Sequence, residues 1–349
     1  MKKTVMLMFG GKSSEYEVSL SSAYGAMENI DRERYNVITT GVTRDGRFYL
    51  YEGENELVRD DKWESEGKTT PLSLDLAKGV FVAGEREIRP DVVMPMMHGK
   101  NCEDGKLQGM LALMNIPVVG CGCTSSAVCM DKAFTKAVVA SETDIKQAKT
   151  VFVNEIDYNA DTAEGYRLRC ETELGYPMFV KPANAGSSVG VTKVKSADGF
   201  DAAIRTAFHE DGKVLVEECI VGSETEVAVL EEHGRYYAAH PAEIDHGNAE
   251  FYDYEAKYKS DESTYYLPAR LSEAEQDEVR REAIEVFKAL GCKGYARVDF
   301  FHVRDGFIFN EINTLPGFTP ISMYPKMMIN DGISYREVLS RMIEAAEVG

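Results

Sequence analysis

Short apolar runs alternate with amphipathic stretches over the first third of the chain. "TVMLMF", "YNVITTGV", "DVVMPMM" and "IPVVGC" read as strands, and "SLSSAYGAMENI" as a helix. This alternation predicts an α/β layer fold with a mainly parallel sheet, whose ligands gather beyond the carboxyl ends of the strands. The loops "GGKSSE" and "HGKNCEDG" both follow strand candidates, so both are expected at a site. Further on, "SAVCMDKAFTKAVVA" predicts a helix that leads into the strands "QAKTVFV" and "YPMFVKP". "KVLVEECIVGSETEVAVL" predicts two strands parted by a glycine. The clearest helix is "SEAEQDEVRREAIEVFKALG", opened by a Ser272–Glu275 capping box and ended by Gly291. Its stripe of Val279, Ala283, Val286, Phe287 and Leu290 has helical spacing and reads as core packing.

Composition narrows the partners. The 349 residues are 44% hydrophobic and carry a formal charge of −19, enough chain for two or three compact domains. An acidic surface repels nucleic acid and anionic membrane, so neither is expected, while a local cluster of Lys and Arg still admits a small anion. "MKKTVMLMFGG" imitates a signal peptide, but its apolar run is too short and no small-residue cleavage site follows. No stretch is apolar for long enough to span a membrane. Seven cysteines include no C-x-x-C pair. Cys121, Cys123 and Cys129 have no histidine at zinc-site spacing, so buried free thiols in a reducing cytoplasm are expected.

Three constellations carry chemistry. In "KPANAGSSVGV" Lys181 stands five residues before Gly186, the reverse of the order a Walker A loop requires. "GSSVG" can still turn successive backbone N–H groups and two hydroxyls toward an anion, although such loops also form plain turns. "GYARVDFFHVRDGFIFNEIN" reads as a hairpin joined at Asp305-Gly306. A three-residue loop would set Asp299 opposite Glu311, with Arg297 and Asn313 on the same face. Facing carboxylates repel unless a positive charge lies between them, and an all-oxygen donor set suits Mg²⁺. A solvated polar face is the alternative, but Phe300, Phe301, Phe307 and Phe309 imply a buried sheet and favour the metal. In "VEECIVGSETEV", backbone groups from Cys219 to Val221 could bind adenine while the glutamates accept from its amine and from ribose. Surface glutamates would leave the same pattern.

"MDK" (Met130 to Lys132), "VKPANAGSSVGV", "VEE…GSE", "ARVDFF" and "NEINTLPGFT" follow one another in the order seen in ATP-grasp ligases. With "FGGKSSEYEVSLSSA", "MHGKNCEDGKLQG" and "FYDYEAKY", the whole chain resembles the D-alanine–D-alanine ligases. The resemblance implies three domains: an N-terminal α/β substrate domain (1–123) and two α+β domains that clasp ATP (124–213 and 214–349). A lid is expected at 250–268, in "EFYDYEAKYKSDESTYYLP".

The resemblance also implies roles. ATP would be held by Lys132, Lys181, Ser188, Glu217, Ile220, Glu224 and Lys257, with Glu217 at the adenine amine and Glu224 at the ribose. Asp299, Glu311 and Asn313 would hold two Mg²⁺ or Mn²⁺ ions. The first D-alanine carboxylate would attack the γ-phosphate, and the amine of a second D-alanine would then attack the acyl phosphate. Glu15 would hold the first ammonium group near His98. Ser187 would link that site to Tyr258 of the lid, while Arg297 and the Gly317 N–H would meet the oxyanion. Ser322 and Met323 would face the second substrate. The pair Lys257-Tyr258 speaks against a D-lactate-using relative. Glu15-Tyr16 matches the D-serine type, whereas Met323 stands where that type has arginine and suits a methyl-sized pocket. D-alanine is therefore the expected second substrate and D-serine the alternative. Another ATP-grasp ligase would lack "GGKSSEYEVS" and the tyrosine-rich lid; a nucleotide sensor would not need Arg297, the metal set and the lid together. A homodimer is the family's usual state.

Overall fold

The computed structural model describes residues 2–186, 188–245 and 264–346. The strand β1 (Lys3–Gly10) is buried from Val5 onward, as an apolar run without alternation demands of a strand covered on both faces. It lies between β2 (Tyr35–Val42) and β7 (Val92–Pro95), parallel to both. The expected parallel sheet stops there. β3 (Phe48–Glu52), β4 (Lys68–Asp75), β5 (Val80–Ala83) and β6 (Arg86–Ile88) extend it as an antiparallel meander in the order β6-β5-β4-β3-β2-β1-β7. Its runs are short, "FYLY" and "VFVA", and β4 between them buries only Leu72, so the meander went unread. "IPVVGC" forms an isolated bridge, Val93 to Val118, in place of a strand. The helices α1 (Tyr16–Asn29), α2 (Asn55–Arg59) and α3 (Lys106–Leu113) complete this part.

The single helix expected around "MDK" is two, α4 (Cys123–Met130) and α5 (Lys132–Glu142). Asp131 parts them: its backbone is extended and its carboxylate accepts from the N–H groups of Ala133 (3.0 Å) and Phe134 (3.1 Å). An N-cap aspartate starts a helix, and here it overrides the continuous apolar pattern.

A second, four-stranded antiparallel sheet consists of β8 (Thr150–Asn154), β9 (Met178–Pro182), β10 (Thr192–Val194) and β11 (Lys213–Glu218). The helices α6 (Ala163–Glu173) and α7 (Phe200–Phe208) flank it. The domain boundary expected between residues 213 and 214 falls inside β11, and the sheet runs on to Glu218. Beyond the other expected boundary, at 123/124, α4 and α5 pack against both neighbouring layers. Cys129, Val139 and Ile145 pack in one cluster with Val286, Phe300 and Phe309 of the third layer, while Ala133 packs with Ala183 and Leu215 of the central layer. The central unit has a core of its own, in which Val151, Val180 and Val216 meet Phe200 and Ile204.

In the third sheet, β12 (Ser223–Glu232) pairs with β13 (Arg235–Ala238), β14 (Ala242–Asp245) and β16 (Tyr295–Val303). β15 (Thr264–Tyr266) and β17 (Gly306–Asn313) take its edges. The helices α8 (Glu273–Ala289), α9 (Met323–Asn330) and α10 (Tyr335–Ala345) pack around it. Met327, Leu339 and Met342 join Met6, Phe9 and Leu20 in one apolar cluster. The N-terminal and C-terminal layers therefore share a core, which fixes the loops of one against the loops of the other. All seven cysteines are free thiols; Cys123 is exposed and Cys219 half-buried, while the other five are buried as expected.

The capping box is present at α8: Ser272 Oγ accepts from Glu275 N–H, and the Glu275 carboxylate accepts from Ser272 N–H at 2.8 Å. Ser272→Ala should therefore cost about 1 kcal/mol and lower the thermal midpoint by about 2 °C. An unchanged melting curve would mean that the box contributes nothing.

Candidate active site at the meeting of three layers

A cavity opens where the loops after β1 and β7 face the hairpin β16–β17 and the turn between β17 and α9. Glu15, His98 and Glu103 line it from the N-terminal side; Arg297, Glu311, Asn313, Gly317, Ser322 and Met323 line it from the C-terminal side. Lys132 and Gly186 close the remaining wall.

The hairpin sets the electrostatics. Asp299 faces Glu311 and Arg297 faces Asn313, as expected, but by another route. The loop has two residues, because Val303 pairs with Gly306, and a bulge beside Asp299 restores the register. Bulges of this kind commonly re-aim side chains beside active sites. The Arg297 guanidinium donates to both oxygens of Asp299 at 2.7 Å and lies 3.3 Å from Glu226. Asn313 Nδ2 donates to Asp299 at 3.0 Å, and Lys132 Nζ lies 3.4 Å from Glu311. Burial, with Glu311 and Glu224 nearby, pushes Asp299 up to about 6 against the pull of Arg297. Two carboxylates and an amide offer only oxygen, which fits Mg²⁺ or Mn²⁺. Among the described residues no three His, Cys, Asp or Glu side chains form a ready metal centre. A cation held by Asp299, Glu311 and Asn313 would thus complete its shell with phosphate oxygens and water.

A second charged cluster lies along α5 and the central sheet. Lys181 Nζ stands 2.7 Å from Glu217, and Lys136 Nζ stands 2.8 Å from its other oxygen. Burial alone would raise the Glu217 pKa, but the two ammonium groups outweigh it and hold the carboxyl at about 2. Lys132, one turn before Lys136, donates to Ala185 C=O at 2.9 Å in the loop that follows β9. Ser188 adopts a positive φ of 58° in that loop. Glu224 is buried on β12, while Ile220 lies half-buried between β11 and β12.

The first-substrate end is built from backbone constraints. Glu15 ends the loop before α1, and a Cβ on Gly99 would come within 2.4 Å of its Oε2. Gly99, at φ 72°, is therefore required by close approach as well as by conformation. Gly186 lies against the same carboxylate, with its own Cβ position 3.1 Å from Oε2. His98 lines the cavity with both ring nitrogens engaged. Its Nδ1–H donates to Leu315 C=O at 2.9 Å, and its Nε2 accepts from Ser22 Oγ at 2.9 Å. Ser22 Oγ in turn accepts from Phe318 N–H at 3.1 Å. His98 thus anchors the turn that carries Gly317. Burial holds it below the usual histidine range, against the pull of Glu15.

Several contributors went unread in the sequence. Glu103 sits in the quoted loop "HGKNCEDG"; burial and then Glu15 push its carboxyl well up. Glu226 lies two residues from Glu224 and so shares its face. Lys136 is four residues from Lys132, on the same side of α5. Tyr16 moves the other way. It is fully buried, accepts from Trp63 Nε1 at 2.8 Å and donates to Asp61 at 3.2 Å. Its hydroxyl is committed to the N-terminal core. Ser187, Lys257 and Tyr258 lie outside the described residues; the flanks of that last segment, Ile244 and Tyr265, line the cavity.

This sequence and fold have known counterparts. Family models described as D-ala D-ala ligase N-terminus and C-terminus match residues 4–121 and 139–344. A D-alanine–D-alanine ligase of Caldicellulosiruptor bescii is 43% identical, covering 99% of this chain and 95% of its own. That of Clostridium novyi is 44% identical, covering 99% and 98%. Among solved structures, the VanG D-Ala:D-Ser ligase from Enterococcus faecalis matches with a TM-score of 0.89 at 40% identity, over 98% of this chain and 99% of that one. The D-alanine-D-alanine ligase from Coxiella burnetii gives 0.86 at 33% identity, over 99% and 93%. The molecule is an ATP-grasp enzyme. The chain belongs to the D-alanine–D-alanine ligase family.

His98 yields a test by pH. Its folded pKa lies below the ordinary value of 6.5, so its contribution to stability is complete above that pH and is lost as pH falls below it. The thermal midpoint should fall between pH 7.5 and 5.5, and His98→Gln should flatten that slope. Parallel slopes for the two proteins would show that His98 is not held neutral.

Proposed function

We propose that the chain joins two D-alanine molecules at the expense of ATP, by way of a D-alanyl phosphate, and so supplies a dipeptide for peptidoglycan precursors. One observation carries this reading: a single cavity combines a carboxylate for an ammonium group (Glu15), donors for an oxyanion (Arg297 and Gly317) and a cation for phosphate (Lys132). Glu15 takes the first ammonium. Arg297 and the Gly317 N–H meet charge that develops on the carboxyl carbon's oxygen, where preorganised donors accelerate most. Lys132 and Lys181 orient the phosphates, the main task in phosphoryl transfer. Two Mg²⁺ or Mn²⁺ ions held by Asp299, Glu311 and Asn313 would neutralise charge on the transferring group. Ser188, Ile220 and Glu224 complete the nucleotide site in this reading, and Ser187, Lys257 and Tyr258 enter it through the family resemblance alone. Seven free thiols suit a cytoplasmic enzyme, and no helix among the described residues is long and apolar enough to cross a membrane. A homodimer is part of the same proposal.

A D-serine-using enzyme is the second reading, favoured by the likeness to VanG. Two features support D-alanine. Met323 lines the cavity and offers no partner to a hydroxyl. Ser322 Oγ accepts from Thr319 N–H at 3.0 Å and shares a hydrogen bond with the Thr319 hydroxyl at 2.7 Å, which commits it when Ser322 is the donor. With ATP, Mg²⁺ and equimolar D-alanine and D-serine, D-Ala–D-Ala should dominate by mass; preferential D-Ala–D-Ser would overturn the assignment. Met323→Arg should shift relative kcat/KM toward D-serine by about tenfold, and an unchanged ratio would remove Met323 from the selection. Arg297→Met should lower kcat by about 100-fold, read as phosphate release.

A further inference from the structure

Glu217 is surrounded on one side. A carboxylate has about four acceptor sites and no donor. Oε1 takes Lys136 Nζ at 2.8 Å and Thr150 Oγ1 at 3.3 Å, while Oε2 takes Lys181 Nζ at 2.7 Å. What remains is acceptor capacity alone. The two lysines differ in what else they can do. Lys181 also feels Glu311 and Glu224 and belongs to the phosphate end of the site. Among the described residues Lys136 has one other partner, Ala148 C=O at 3.4 Å, and its side chain is 8% exposed. It is therefore the countercharge that stays with Glu217 when phosphate draws on Lys181. α5 supplies both ends: Lys132 reaches Glu311, and Lys136, one turn on, reaches Glu217.

We propose that Lys136 is a positioning residue that sets base specificity: it keeps Glu217 an acceptor only, so the site takes a 6-aminopurine nucleotide and refuses a 6-oxopurine one. A 6-amino group donates to the free acceptor site. A 6-oxo group can bond there only if the carboxyl first takes up a proton, which the fixed ammonium of Lys136 opposes. Thr150 Oγ1 and Ala148 C=O, neighbours at the end of β8, hold the pair from the other side. This inference rests on the reading that Glu217 faces the base.

The test compares ATP with ITP, which differ at position 6 of the purine, using the full-length enzyme with saturating D-alanine and Mg²⁺ and following phosphate release. The unmutated enzyme should favour ATP by about 100-fold or more in kcat/KM. Lys136→Met should reduce that ratio by about tenfold, through KM for nucleotide and not through KM for D-alanine, and Lys136→Arg should restore it. Lys136→Gln, polar but uncharged, serves in place of the methionine variant if that protein does not fold. Glu217→Gln, whose amide can donate to a 6-oxo group, separates the two ways of failing. If it leaves the ratio unchanged, Glu217 does not face the base and both readings fall. If it alters the ratio while Lys136→Met lowers activity with both nucleotides equally, Lys136 is merely structural and this inference fails alone.

Discussion

A carboxylate taken out of water must be matched by positive charge and hydrogen bonds, and the interior of this protein is arranged around that requirement. Asp299, Glu226, Glu217 and Glu224 are all buried. Against them stand Arg297, Lys132, Lys136 and Lys181, each within 3.4 Å of a carboxylate oxygen. Removing one partner of such a pair typically costs about 3–5 kcal/mol, because the other is left buried and alone. On the proposed function, the cations and oxygens of this cluster would serve a polyanionic nucleotide and its metal, which a packed apolar core could not do.

Rigidity is distributed to suit. One apolar cluster runs from Met6 and Phe9 through Leu20 to Met327 and Met342, so the side that holds Glu15 and the side that holds Arg297 and Gly317 cannot drift apart. His98 adds a polar tie across the same seam, to Leu315 C=O and through Ser22 to Phe318 N–H. On the proposed function, a wrong substrate would meet this wall, and selectivity would rest on lining side chains such as Met323. The central sheet stands on its own core. It reaches the other layers through the turn at Asp131, whose carboxylate takes Lys213 and Asn184 Nδ2 (3.2 Å) besides capping α5.

The hairpin shows how a right pairing can have a different cause. Alternation and the glycine predicted Asp299 opposite Glu311 through a three-residue loop. The chain makes the tighter two-residue turn and then inserts one residue as a bulge. The face of Phe300 and Phe309, both fully buried, settles the register on the turn side. The bulge then shifts the next pairs so that the acids meet over the cavity.

What the sequence by itself determined is what depends on neighbours a few residues apart. The capping box at Ser272, the buried run of β1, the strands around Val180 and Val227, and the acids at alternate positions of β16 and β17 were legible because strand and helix periods fix which side chains share a face. The family was legible for the same reason, since its loops are short and contiguous. Only the tertiary structure decided which distant groups touch. It placed Lys136 on Glu217, turned Tyr16 into the N-terminal core, made His98 a brace, and packed α4 and α5 between the central and C-terminal layers. No local period encodes such contacts: each is chosen by packing between layers, where burial forces every charge and polar group to find the nearest available partner.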